Sequence, residues 1–192
     1  ADVTGDGAVD GLDLTRLRQM AAVVPVSDAI AIHLSDSGIT VEGDTKGVTA
    51  VSGKAVTISA SGNYTVDGSI TDGQILVNIP DTTADSDAVS LYLQDVTMTS
   101  SNGAPCILGQ SAKKLKLTCS GEANADTSGV IYGDCDITVT KNSTGTLNIT
   151  SSMNTAIRSK DDIKLNGGAV VINTDVDDTS DADAIRANNT LE

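Results

Sequence analysis

Phenylalanine and tryptophan are absent from this 192-residue chain, and Tyr64, Tyr92 and Tyr132 are its only aromatic residues. A globular core usually draws much of its packing from large rings. Here Ile, Val, Leu and Ala must fill the interior, which suits ladders of like residues stacked layer on layer. The same shortage excludes a flat platform of rings of the kind that stacks on crystalline cellulose. Basic residues are also scarce: 12 Lys and Arg stand against 26 Asp and Glu, for a formal net charge of −14. Duplex nucleic acid is thereby excluded as a partner, because its affinity rests on Lys and Arg neutralising phosphate. No run of about 18 apolar residues occurs, so no membrane-spanning helix is expected. The chain opens at Ala1 without an apolar leader. A secreted protein whose signal peptide is removed or lies upstream fits that opening.

Cys106, Cys119 and Cys135 show no CxxC or Cys/His metal spacing, and an odd number of thiols cannot pair completely within the chain. They read as small buried apolar residues. The single histidine, His33, alternates with Ile30, Ile32 and Leu34 in a strand-like run and carries no catalytic expectation.

What the chain does have is repetition. From Thr155 to Ser180 three apolar pulses occur, at Ala156-Ile157, Ile163-Lys164-Leu165 and Val170-Val171-Ile172. Polar corners, Lys160-Asp161-Asp162 and Asn166-Gly167-Gly168, separate them. Short apolar runs bounded by Gly, Asn and Asp predict strands joined by turns. The pulse openers Ile75, Ile107, Ile131, Ile157 and Ile185 recur at intervals of 32, 24, 26 and 28 residues, the first lengthened by the acidic insert Asp81–Asp87. Second pulses fall at Leu91/Leu93, Leu115/Leu117, Ile137/Val139 and Ile163/Leu165, and third pulses at Val96/Met98, Leu147/Ile149 and Val170/Ile172. After Leu117 no third pulse stands out, and Cys119–Ser128 reads as a polar loop. A period of one supersecondary unit marks a solenoid. The fold predicted is all-β: a right-handed parallel β-helix of about five coils with three short strands each, in which every coil buries its apolar column against the next. Ile30–Leu34, Ile39–Glu42, Val56–Ser59, Gly62–Val66 and Ile75–Ile79 read as earlier strands that cap the first coil, with a turn at Asp67-Gly68.

Residues 2–13, DVTGDGAVDGLD, follow a different logic. An EF-hand loop takes its ligands at positions 1, 3, 5, 7, 9 and 12, with glycine at 6 for the sharp turn. Asp2, Thr4, Asp6, the Ala8 carbonyl, Asp10 (through water) and Asp13 fall in that register, and Gly7 occupies the turn. Thr4 stands where Asp or Asn is usual, and Asp13 where a bidentate Glu is usual. The ligand expected is Ca2+. Leu14, Leu17, Ala21 and Val24 then mark one face of a helix that Pro25 closes. The chain thus divides into a loop–helix segment, 1–25, and a β-helix, 26–192.

This loop and helix resemble one of the two duplicated segments of a dockerin module. Dockerins anchor extracellular proteins to cohesin modules on a scaffold protein. The resemblance implies a cohesin partner, contacted through Gly11, Leu12, Arg18 and Gln19. The second segment of the pair is not found in this sequence.

The stretch from about Ile30 to Asn189 resembles a bacterial extracellular carbohydrate-binding β-helix family. GNYTVDGSITDGQILVNI (62–79), AIRSKDDIKLNGG (156–168) and DADAIRA (181–187) carry the likeness. It implies a fold related to pectate-type polysaccharide lyases, calcium, acidic plant cell-wall polysaccharide as ligand, and an extracellular setting. Members usually continue with more coils after the DAIR segment, so truncation is expected here. The Ile157/Ile163/Val170 layer should then lie open.

The residues themselves make uronate binding conditional on metal. Asp134/Asp136, Asp161/Asp162, and Asp175/Asp177/Asp178 with Asp181/Asp183 cluster at coil corners, and stacking sets corners about 4.8 Å apart. Carboxylates that close repel unless a cation lies between them, and calcium takes six to eight oxygens. Asp161, Asp162, Asp181 and Asp183 are the candidate ligands; solvated acidic turns are the plainer alternative. Bound calcium would bridge a polyuronate to an acidic protein, with Arg158, Lys160 and Arg186 adding direct contacts on adjacent coils. Non-catalytic binding is the expected role. Two alternatives stay open: a calcium-dependent lyase with Arg158 or Lys160 as base, and a spacer or adhesin without sugar affinity.

Overall fold

The computed structural model describes residues 28–101, 104–126, 130–151, 155–174 and 183–192. The described residues form strands and turns, with no helix among them. The loop–helix segment 1–25 lies outside the described residues.

Four short strands open the chain: β1 (Ile30–Leu34), β2 (Thr40–Glu42), β3 (Thr49–Ser52) and β4 (Ala55–Ile58). β5 (Gly62–Thr71), β6 (Gln74–Asn78) and β7 (Ala88–Thr99) follow. The repeat then settles into β8 (Ile107–Ser111), β9 (Lys114–Ser120), β10 (Glu122–Asp126), β11 (Ile131–Gly133), β12 (Asp136–Val139), β13 (Thr146–Ser151), β14 (Ile157–Ser159), β15 (Ile163–Leu165), β16 (Ala169–Thr174) and β17 (Ile185–Ala187).

Like strands of successive coils pair in parallel, and the result is a β-solenoid of about four turns. One side carries β17-β14-β11-β8-β6-β4-β3. Ile75, Ile107, Ile131, Ile157 and Ile185 stand in one register on it, so the isoleucine repeat is a physical column. Four of the five are at most 2 % exposed; Ile185 is half-buried. The other two sides join into one ten-stranded sheet, because β5 and β7 run round a corner without breaking. The turn expected at Asp67-Gly68 is instead continuous strand within β5, opposite a bulge in β7 where the register shifts. Asp95, with φ of 49°, is the extra residue on β7.

Two further readings are corrected by the pairing. Leu115 and Leu117 face Val89 and Leu91, not Leu91 and Leu93; Leu93 pairs with Cys119. A pure alternation cannot tell which two of three apolar residues are in step. The polar loop expected over Cys119–Ser128 contains β10, with Ala123 and Ala125 opposite Leu147 and Ile149.

Antiparallel pairs, β1 with β2 and β3 with β4, close the N-terminal end as expected of a cap. At the other end the layer expected to lie open is largely covered. Ile185 pairs over Ile157, and Leu191 bridges to Ile163, leaving both inner residues fully buried. Val170 and Ile172 are only half-buried. The three cysteines are buried and form no disulfide with one another, as the sequence suggests.

Candidate functional site

Alternation along a strand sends the neighbours of the isoleucine column outward. Leu76, Leu108, Tyr132, Arg158 and Arg186 therefore form a second column on the outer face of the same sheet. Leu76, Leu108 and Tyr132 are half-buried, while both arginines are exposed. The Arg158 guanidinium lies 5.6 Å from the centre of the Tyr132 ring, and Lys160 Nζ lies 5.8 Å from it. Cations at such distances from a ring are attracted to it. Lys160 Nζ also donates to Asp134 Oδ2 at 2.8 Å, and this hydrogen bond, then one with Tyr132, raises the lysine's pKa above its ordinary value. Arg186 is 3.9 Å from Asp183. The three basic residues picked from the sequence thus meet on one face, next to a tyrosine the sequence reading did not include.

The corner beside this face is built by Ser159. Its buried hydroxyl donates to the Cys135 carbonyl at 2.7 Å and accepts from the Asp161 amide at 2.8 Å, which turns the chain sharply after β14. That turn brings Asp161 and Asp162 to Asp136 of the preceding coil, with one carboxylate oxygen of each inside a 4.8 Å span. Lys114 approaches Asp136 at 3.7 Å, and Asp162 Oδ1 accepts from Asn189 Nδ2 and the Thr190 amide. Three carboxylates on a solvent-reached corner suit a hard cation such as calcium, with water completing its shell. Asp161 and Asp162 were expected to act with Asp181 and Asp183; among the described residues it is Asp136 that joins them. Asp183 is outside this cluster, and Asp181, like the loop ligands Asp2, Thr4, Asp6, Ala8, Asp10 and Asp13 and the contact residues Gly11, Leu12, Arg18 and Gln19, lies outside the described residues.

A groove crosses the outer face of the second side, and sequence reasoning missed it. Its volume is about 430 Å³, and Tyr92, Lys116, Thr118, Thr138, Thr140 and Lys141 line it, with Asn63 and Asn166 towards its ends. Ser90, Lys116 and Thr138 share one register, and Tyr92 and Thr118 the next outward one. The Thr118 and Thr140 hydroxyls are 2.7 Å apart. The signal available was the outward half of the alternation that located the buried leucines.

Comparison with known proteins gives this geometry a context. Residues 52–192 match the family described as "Carbohydrate-binding domain-containing protein". A protein of that description from Acetivibrio thermocellus is 32 % identical over 139 residues, spanning 64 % of this chain and 46 % of the relative. The chain therefore covers less than half the length of that relative. A solved structure described as a polysaccharide lyase-like protein from C. thermocellum, a gadolinium derivative, aligns with a TM-score of 0.48 at 20 % identity, over 85 % of this chain and 81 % of that one. With most of its length matched by the family, the chain belongs to the carbohydrate-binding domain-containing proteins.

Proposed function

We propose that this chain binds an acidic, pectin-like polysaccharide of the plant cell wall in a calcium-dependent manner, without cleaving it. The observation that carries the reading is the outward column of Tyr132, Arg158 and Arg186, with Lys160 over the same ring, directly beside the Asp136/Asp161/Asp162 corner. A ring supplies a face for a sugar, guanidinium groups make paired hydrogen bonds to carboxylates, and calcium held by the corner would offset the repulsion between a uronate chain and a protein of net charge −14. The family match over residues 52–192 supports carbohydrate as the ligand class.

A lyase is the weaker reading. Its base would have to be Arg158 or Lys160, and Lys160 is already engaged by Asp134 while Arg158 is held over Tyr132. The N-terminal loop–helix is proposed to attach the protein to a cohesin-bearing scaffold outside the cell, on the strength of its sequence alone.

Affinity electrophoresis through gels containing polygalacturonate, run with calcium and with chelator, tests the binding reading. Retardation in calcium that Arg158→Gln/Arg186→Gln weakens is the expected result. Mobility indifferent to the polysaccharide under both conditions would overturn it. The appearance of ultraviolet-absorbing unsaturated uronates on incubation would establish the lyase instead.

A further inference from the structure

The groove on the second side differs electrically from the rest of the molecule. Among the described residues no carboxylate lines it, although the chain carries 26 Asp and Glu. Among the described residues four lysines each face an acid, Lys54 with Asp36, Lys114 with Asp136, Lys160 with Asp134 and Lys164 with Glu192, while Lys46 and Lys113, which do not line the groove, face none. Lys116 and Lys141 have no such partner there. Unneutralised lysines in a concave, carboxylate-free trough on an acidic protein leave a local positive site that an anion would complement.

The rest of the lining indicates what kind of anion. Thr118, Thr138 and Thr140 hydroxyls and the Asn63 and Asn166 amides both donate and accept, which matches a ligand whose own hydroxyls do both. The Tyr92 hydroxyl stands 3.5 Å from Asn63 Oδ1 at one end and leaves the ring along the groove wall. These groups repeat in register on consecutive coils, about 4.8 Å apart along the solenoid axis. From the rung of Asn63 to that of Asn166 the trough crosses about 19 Å, taken as four such steps. A repeating ladder of this length fits a repeating polymer lying along the axis better than a single sugar. Single-stranded nucleic acid is a poorer fit, because it asks for several phosphate-neutralising cations and several stacking rings, and the groove offers two lysines and one tyrosine.

We propose that this groove is a second, metal-independent binding site for an anionic polysaccharide segment, with Lys116 and Lys141 contacting its carboxylates and the Thr/Asn ladder its hydroxyls. The inference rests on the polysaccharide-binding reading above but uses a different face and no calcium. The test titrates oligogalacturonate, and its methyl ester, into the full chain in calcium and in chelator. Lys116→Gln/Lys141→Gln is compared with wild type, with the melting midpoint checking that the variant folds.

In chelator the wild type should bind the acid form more tightly than the ester. Lys116→Gln/Lys141→Gln should weaken acid binding about tenfold, or about 1.4 kcal/mol, and leave ester binding unchanged. Wild-type binding that appears only in calcium would overturn the groove and leave the calcium-dependent reading standing. Binding in chelator that is indifferent to Lys116→Gln/Lys141→Gln would also overturn the groove alone. No binding under either condition would remove both. A single-stranded oligonucleotide that binds more tightly than oligogalacturonate and loses affinity in the lysine variant would overturn a glycan as the occupant.

Discussion

Gly121 packs directly against the carboxylate of Asp95, so closely that a β-carbon on Gly121 would overlap Asp95 Oδ1. The two residues sit at the corner where the second side of the solenoid becomes the third. Gly145 and Gly168 continue that corner on the next coils. A β-carbon on Gly145 would overlap the Gly121 carbonyl, and one on Gly168 would come within 2.8 Å of the Gly145 carbonyl. Asp95, Gly121 and Gly168 also have φ of 49°, 69° and 68°, a region costly for most side chains. The corner is thus specified twice, by dihedral angle and by lack of room.

Gly121→Ala should accordingly lower stability by about 1–3 kcal/mol, the usual cost of forcing a side chain into such a backbone region. Part of that cost is the collision with Asp95, so the same change in an Asp95→Gly background should cost less. Urea unfolding of the two single variants and the double variant measures the coupling. Strictly additive losses would show that the collision contributes nothing.

Ile131 lies fully buried in the isoleucine column between Ile107 and Ile157. Truncating it leaves a cavity that stacked backbone cannot close, so Ile131→Ala should cost about 2–5 kcal/mol. Ile185 ends the column and is half-buried, so Ile185→Ala should cost clearly less. Guanidinium titrations that gave equal losses would contradict the column as a graded stack.

That column was legible in the sequence because one large β-branched residue recurs at the head of every coil. β10 was not, because its register positions hold Ala123 and Ala125, too small to register as an apolar pulse beside Leu147 and Ile149. The same contrast separates the two candidate faces. Arg158 and Arg186 stand out in an acidic chain through the repeated dipeptide Ile-Arg, and the structure does put them on adjacent rungs. Ser90, Lys116, Thr118 and Thr138 look like an ordinary solvated strand face one residue at a time. Only stacking at about 4.8 Å makes them a surface. Asp136 was likewise assigned to a corner of its own, since the turn that Ser159 imposes after β14 depends on a carbonyl in the preceding coil.

The three thiols should be inert in the folded protein. Burial pushes Cys119 up to about 11 and, with the nearby Asp136 charge, Cys135 up to about 12, while Cys106 is fully buried. The thiolate is the reactive form. Near neutral pH the native chain should therefore resist alkylation at all three positions and become reactive at all three on unfolding. Mass spectrometry after a brief iodoacetamide pulse, with and without denaturant, reads this out. Prompt labelling of Cys119 or Cys135 in the native state would mean that the coils open locally at that rung.

The N-terminal cap should carry a measurable acid sensitivity through Asp44. Its carboxylate accepts from the Thr49 hydroxyl at 2.6 Å, the Thr49 amide at 2.7 Å and the Val48 amide at 3.0 Å, tying the loop after β2 to the start of β3. The Thr49 hydroxyl bond is the largest cause, and together these bonds hold the carboxyl down to about 2 against partial burial that opposes them. In the unfolded chain the same group titrates near the ordinary aspartate value of about 3.9. A folded pKa below the unfolded one means that the stabilisation is present above about pH 4 and drains away as pH falls towards about 2. Several other aspartates, among them Asp36, Asp72 and Asp85, are also shifted down, so the whole chain should weaken in acid. The difference between wild type and Asp44→Asn isolates this one. That difference in unfolding midpoint should be constant from about pH 7 to about pH 5 and shrink steadily between about pH 4 and about pH 2. The variant keeps the size and an accepting oxygen but has no charge to lose. A difference that stayed constant through the acid range would show that the loop is held by shape and neutral hydrogen bonding, and that the carboxylate charge contributes nothing to the cap.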